Sequence, residues 1–277
     1  MHTLQPTIAF IGTGNMAGAI LEGLIANGYP AARLWATRRQ TEKLATFKAR
    51  GVNTTADNEQ AIAAADIVVI SVKPQMMQQT LKALAPALQS RKPLLISVAA
   101  GISCDSLERW AGGDIPVIRA MPNTPSLLKL GACGLFATET VTELQREQAQ
   151  AITDAVGISV WCEQEQGIDQ VTAVSGSGPA YFFLMMEKMI DAGIALGMSP
   201  ENARELTLQT ALGAAEMAKQ TGIDPAQLRK NVTSPGGTTE QAILSFERDE
   251  LGRVVETAML ACMNRAAEMS EILGADE

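Results

Sequence analysis

The residues best suited to chemistry lie in a stretch that resists regular structure, RKNVTSPGGTTEQA at 229–242. Pro235 lacks a backbone donor, Gly236 and Gly237 carry no side chains, and Thr238, Thr239 and Glu240 read as the start of a helix. A helix start offers unpaired N–H groups and a partial positive charge, so bare backbone just ahead of one makes a seat for an anion. The same residues also suit an ordinary loop that ends in a helix cap. A second glycine-rich stretch, AVSGSGPAYFF at 173–183, leaves two similar readings open: close helix packing with a proline at a helix start, or more backbone-rich ground for a small anionic ligand.

A third constellation stands near the N-terminus. TIAFIGTGNMAGAILEGLIANG opens with an apolar run, breaks at glycines and continues with helical spacing through Ile20, Leu21, Leu24 and Ile25. The pattern is G-x-G-x-x-A: Gly12 permits the turn, Gly14 lets backbone approach a pyrophosphate, and Ala17 keeps helix and sheet close. Its place between a strand and a helix gives the motif its meaning. The next strand, RLWAT, ends where a ribose-reading carboxylate would stand for NAD, and the chain has Thr37, Arg38 and Arg39 there. Two cations without a carboxylate suit a 2′-phosphate and therefore NADPH, with NADH as the alternative cofactor; arginines that merely solvate a loop are the competing reading.

Some chemistries are excluded by what is missing. His2 is the single histidine, so a histidine triad, a histidine-ligated metal and a histidine proton shuttle are not expected; the metal expectation is none. Cys104, Cys133, Cys162 and Cys262 are scattered without a Cys-x-x-Cys pair, as befits reduced thiols and a cytoplasmic setting. Acidic residues outnumber basic ones 30 to 22, which argues against binding to nucleic acid or to an anionic membrane. The apolar run Ile67–Val72 is only strand-sized, and Phe182–Ile190 is interrupted by Glu187 and Lys188, so no membrane span is expected. The N-terminus leads straight into an apolar strand without a basic n-region or cleavage signal.

The elements that must position these residues fall into two parts. Further strands, ADIVVISVKP, PLLISVAAG and PVIRAMPNTP, follow at βα spacing, and CGLFAT and ISVWCE extend the sheet's edge. The expected fold class is α/β: a Rossmann-type, predominantly parallel sheet domain over 1–164, followed by an all-helical domain over 165–277. Those helices break at 175–179, 197–200, 221–225 and 234–237. Helix 201–219 is apolar around much of its circumference, and the last helix lines up Leu251, Val254, Val255, Ala258, Met259, Cys262, Ala266, Met269 and Leu273 in one stripe. Both exceed what one thin sheet domain can cover, so these helices are expected to pack against their copies, the alternative being a self-contained bundle.

In order along the chain, FIGTGNMAGAI, SVKPQ, SVAAG, IRAMPNTP, SGSGPAY and NVTSPGGTT resemble pyrroline-5-carboxylate reductase over essentially the whole sequence. The last element is the most specific, because related two-domain reductases lack it. The resemblance implies NAD(P)H-dependent reduction of the C=N bond of 1-pyrroline-5-carboxylate to L-proline, the final step of proline biosynthesis. It implies dinucleotide contacts at Gly12, Thr13, Gly14, Asn15, Met16, Arg38, Asn58, Val72, Lys73, Pro74, Ala99, Ala100 and Asn231. It implies substrate contacts at Ser234, Gly237, Thr238 and Thr239, with Thr239 placed at the imine nitrogen as the catalytic hydroxyl. It also implies an intertwined homodimer, five of which form a decameric ring in family members. Two rivals remain: a β-hydroxyacid dehydrogenase-like reductase and a non-catalytic NADPH-binding sensor. The first carries a catalytic lysine about one turn past a comparable glycine pair, where this chain has AYFFLMM and Lys188 lies too far along. The second has no need of the SPGGTT seat.

Overall fold

The computed structural model describes residues 5–275, so His2 lies outside the described residues. Eight strands form one sheet: β1 (Ile8–Ile11), β2 (Leu34–Thr37), β3 (Asn53–Thr55), β4 (Ile67–Ile70), β5 (Leu94–Ser97), β6 (Val117–Met121), β7 (Gly131–Ala137) and β8 (Gly157–Trp161). Their order is β3-β2-β1-β4-β5-β6-β7-β8, parallel throughout except where β7 runs antiparallel to β6. Nine residues separate β6 from β7, too few for the crossover that a parallel pair requires.

Helices cover both faces, which is why the central strands read as unbroken apolar runs. Ile8 and Phe10 face one core with Ile20, Leu21 and Leu24 of α1 (Asn15–Ala26) and Ile152 of α6 (Glu143–Asp154). Ala9 and Ile11 face the other, with Met77, Leu81 and Leu88 of α4 (Pro74–Arg91) and Leu107 and Trp110 of α5 (Cys104–Trp110). α2 (Ala45–Ala49) and α3 (Asn58–Ala64) complete the layers.

One strand buries a charge. Arg119 of β6 is 3% exposed and reaches Glu165 at 3.1 Å and Asp169 at 3.5 Å, the latter on α7 (Gly167–Val171). Glu165 also accepts the Cys104 N–H at 2.7 Å, so the cluster ties β6 to the start of α5. Burial raises the Asp169 pKa, Arg119 works against that, and the Glu165 charge adds to it.

Thiols behave as the burial dictates. Burial, then the neighbouring Glu165 charge, pushes the Cys104 thiol far up, and burial lifts Cys133 to about 12. Neither forms a thiolate at neutral pH, so Ellman's reagent should leave both untouched in the folded protein and modify all four cysteines after denaturation. Peptide mapping reads this out, and labelling of native Cys104 at a free thiol's rate would contradict the packing.

Beyond α7 the chain is helical. Thr172–Gly176 is a π-helical turn, followed by α8 (Gly178–Ala195), α9 (Pro200–Thr221), α10 (Pro225–Asn231), α11 (Thr238–Arg248) and α12 (Leu251–Gly274). The expected break at 175–179 is instead a widened turn that leads within one residue into α8. Pro179 causes no break because it stands in the first turn of α8, where no N–H is required. Contacts divide the chain into two compact units, one running to Ser177 and resuming at Cys262, the other Gly178–Ala261. In the second unit only Gly178, Ala203 and Thr207 are buried. Among the described residues no helix is long and apolar enough to cross a membrane.

Candidate active site

The first unit builds a cleft of about 460 Å³ at the carboxyl ends of β1, β2 and β4. Gly12 sits at φ +81°, and a Cβ there would come within 2.8 Å of Val72 Cγ1, so both backbone and space require glycine. Gly14 is different: its φ is ordinary and a Cβ would meet nothing nearer than 3.9 Å. Its bareness serves no packing purpose inside the chain and leaves the N-terminus of α1 open. No side chain caps that terminus, so its first amides face outward with the positive end of the helix.

The loop is held from the neighbouring strand. Thr37 Oγ1 accepts the Gly12 N–H at 3.2 Å, and the Thr37 carbonyl accepts the Thr13 N–H at 2.8 Å. Arg38 Nη1 donates to the Thr13 carbonyl at 3.2 Å, which draws its guanidinium to the rim of the same cleft. Gly12–Gly14, Arg38–Gln40, Ser71–Lys73 and Met76 line it. A bare-backbone helix start at the carboxyl end of β1 fits the phosphates of a dinucleotide, with a guanidinium at its rim.

Other residues singled out from the sequence do not line this cleft. Asn15 and Met16 open α1, Pro74 opens α4, and Ala99 and Ala100 follow β5. Asn58 opens α3 after β3, where Asp57 caps the helix by accepting from the amides of Glu59 at 2.9 Å and Gln60 at 3.1 Å.

The second unit holds the SPGG turn. Gly236 adopts φ +71°, and a Cβ on Gly237 would lie 2.9 Å from the Ser234 carbonyl oxygen, which already accepts the Gly237 N–H at 2.9 Å. Gly237 precedes α11 without a side-chain cap, so the amides of Thr238 and Thr239 begin a helix with no intrahelical partners. Glu240 Oε2 accepts the Gly236 N–H at 2.7 Å. The chain's own carboxylate thus already docks on this turn, the chemistry a small carboxylate ligand would use. α10 is tied to α11 by Arg229 and Glu247 at 3.4 Å, and Asn231 at the end of α10 accepts from Gln227 at 2.8 Å.

Lys188 is no candidate base. Its ammonium lies 2.6 Å from Glu187 and 3.3 Å from Asp191, and the hydrogen bond to Glu187, then that to Asp191, pushes its pKa up. A β-hydroxyacid dehydrogenase-type lysine is therefore absent from this position.

IRAMPNTP (118–125) carries polar residues whose roles do not show in the sequence. Arg119 and Asn123 of this motif are buried and polar, a combination that signals function or specificity.

The family pattern described as pyrroline-5-carboxylate reductase dimerisation matches residues 165–269, and that described as NADP oxidoreductase coenzyme F420-dependent matches 7–101. A pyrroline-5-carboxylate reductase of Pseudomonas aeruginosa is 52% identical over 270 residues, which cover 97% of this chain and 98% of that protein. The solved structure of a pyrroline-5-carboxylate reductase from Coxiella burnetii superposes with a TM-score of 0.92 at 47% identity, covering 96% of this chain and 99% of that one. A pyrroline carboxylate reductase from Plasmodium falciparum, solved with NADP bound, gives 0.83 at 30% identity, covering 96% and 98%.

Proposed function

The chain belongs to the pyrroline-5-carboxylate reductase family, and from that premise we propose how its own residues carry the reaction. It is an oxidoreductase that reduces the C=N bond of 1-pyrroline-5-carboxylate to L-proline with a nicotinamide cofactor. The observation that carries the residue-level reading is the SPGG turn, where the Gly236 N–H, just ahead of the uncapped start of α11, already donates to a carboxylate.

Gly12–Met16, Arg38, Asn58, Val72–Pro74, Ala99, Ala100 and Asn231 hold the dinucleotide. Once bound, its nicotinamide supplies the hydride for the imine carbon. Ser234, Gly237 and the first-turn amides of α11 hold the ring carboxylate through a hydroxyl and N–H groups. The Thr239 hydroxyl donates to the ring nitrogen and fixes which face of the imine is presented. A cyclic imine takes its proton readily from water, so no strong general acid is needed, and positioning with preorganised dipoles provides the acceleration. A chain with His2 as its single histidine can run this chemistry.

We assign residues 1–164 to dinucleotide binding and 165–277 to substrate binding and dimerisation, in a cytoplasmic homodimer whose next level of assembly is a decamer of five dimers. Oxidation of NADPH by the purified protein, dependent on added 1-pyrroline-5-carboxylate and yielding proline, tests the reading. NADPH binding without turnover would identify a sensor instead.

NADPH is the assigned cofactor on the strength of Arg38. A hydrogen bond to a charged group is worth roughly 1.5–3 kcal/mol. Arg38→Ala should therefore weaken NADPH by about tenfold to a hundredfold and leave NADH almost unaffected, as measured by the KM for each. Equal losses for both cofactors would show that Arg38 reads no 2′-phosphate.

A further inference from the structure

Two motifs left without a role meet at one point. Asn123, just past β6 and 8% exposed, donates from Nδ2 to the Ser175 carbonyl at 2.9 Å and accepts at Oδ1 from the Ala132 N–H at 2.9 Å. Both halves of its amide are used, and each partner dictates which half it meets. Ser175 lies in the π-helical turn Thr172–Gly176, where the Ser177 N–H reaches back five residues to the Thr172 carbonyl at 2.8 Å. A regular helix would serve the Ser175 carbonyl with the N–H of residue 179, but Pro179 has none. Asn123 supplies the missing donor. From the same strand end, Met121 packs so closely that a Cβ on Gly176 would sit 2.6 Å from its Cε.

This turn is fastened to the carboxyl edge of the sheet at β6. Arg38, assigned to the 2′-phosphate, follows β2, and the order β2-β1-β4-β5-β6 sets the two about four strand spacings apart, roughly 19 Å. A dinucleotide laid across the switch point with its adenosine end at Arg38 brings its reacting ring toward β5 and β6.

We propose that Asn123 is a positioning residue for the reduction: by donating to the Ser175 carbonyl it fixes the π-helical turn as a wall at the reacting end of the cofactor cleft. The proposal rests on the reductase reading above. Asn123 touches neither substrate nor cofactor and acts through the turn. Its loss slows the chemical step and leaves adenosine-end recognition intact.

The test is single-turnover oxidation of NADPH bound one per site, with 1-pyrroline-5-carboxylate in excess, comparing wild type with Asn123→Asp, which keeps the acceptor for Ala132 and loses the donor for Ser175. The rate constant should fall about tenfold or more, because a misplacement of about 1 Å at a reacting centre costs on the order of 10²-fold. Amplitude per folded site should stay, as should affinity for adenosine 2′,5′-bisphosphate, an adenosine-end probe. Adding Pro179→Ala returns an N–H to residue 179 and should recover part of the rate. Met121→Ala loosens the same turn without touching these hydrogen bonds and should slow the same step, so the idea stays testable if Asn123→Asp folds poorly. A fall in amplitude at constant rate, an equal loss of bisphosphate binding, or normal rates in both Asn123→Asp and Met121→Ala would overturn it. Wild-type protein that fails to oxidise NADPH would sink the reductase reading itself, a separate outcome.

Discussion

Thr239→Val lowers turnover on the order of 10²-fold, the usual loss when one positioned proton-donating group is removed. Valine keeps the shape and the β-branch, so the first turn of α11 and its amides persist. What disappears is the hydroxyl assigned to the imine nitrogen. The ring carboxylate still finds Ser234 and the same N–H groups, so substrate KM should move far less than kcat. An interaction made mainly in the transition state lowers kcat and kcat/KM together. NADPH affinity should not change, since Thr239 is not among the residues assigned to the dinucleotide and all of those are intact. Steady-state kinetics with direct titration of NADPH separate these quantities. Near-wild-type turnover in Thr239→Val would remove the hydroxyl from the mechanism and leave the carboxylate seat as the sole contribution of α11.

What the sequence revealed of this architecture was what residue types state locally. GTGNMA announces its turn because Gly12 must adopt φ +81° beside Val72, a demand that only glycine meets. The central strands announce themselves because both faces are covered, giving runs such as IVVI in β4. The SPGG turn was legible for the same reason as Gly12: Gly236 has positive φ and Gly237 lies against a carbonyl.

Long-range partners leave no such mark. Arg119 looks like a stray charge in a strand until Glu165 and Asp169 arrive from 46 and 50 residues away. Asn123 looks like a turn residue until Ser175 meets it from 52 residues away. SGSGP reads as a helix break because glycine and proline usually end helices, yet Asn123 takes the carbonyl that proline strands and the winding continues as a π turn. Helix 201–219 read as buried on more than one side, but burial has a partner that one chain's residues do not name. α9 buries only Ala203 and Thr207 within its own chain.

Activity should depend on assembly, because the apolar surface of the second unit is left unburied in the single chain. Phe182 is 68% exposed, Phe183 63%, Leu206 58% and Val254 58%, on helices that a self-contained bundle would have covered. Monomers rarely expose contiguous apolar patches beyond a few hundred Å², and the dimerisation pattern of the family spans these same helices. A two-fold pairing of the second unit with its copy is the closed arrangement that buries such faces. Val254→Glu places a charge at a position exposed in the single chain, so each chain can still fold, while a paired interface must desolvate that charge at a cost of several kcal/mol. Light scattering coupled to size exclusion should show the wild type at twice the chain mass or a multiple of that, and Val254→Glu shifted toward one chain. Activity should fall with the mass, because α11 with Thr239 and the SPGG turn with Ser234 lose the packing that orders them. Far-UV circular dichroism of the variant should keep the sheet and most of the helix, which separates dissociation from unfolding. A wild-type monomer fully active at micromolar concentration would leave the apolar helices without this explanation.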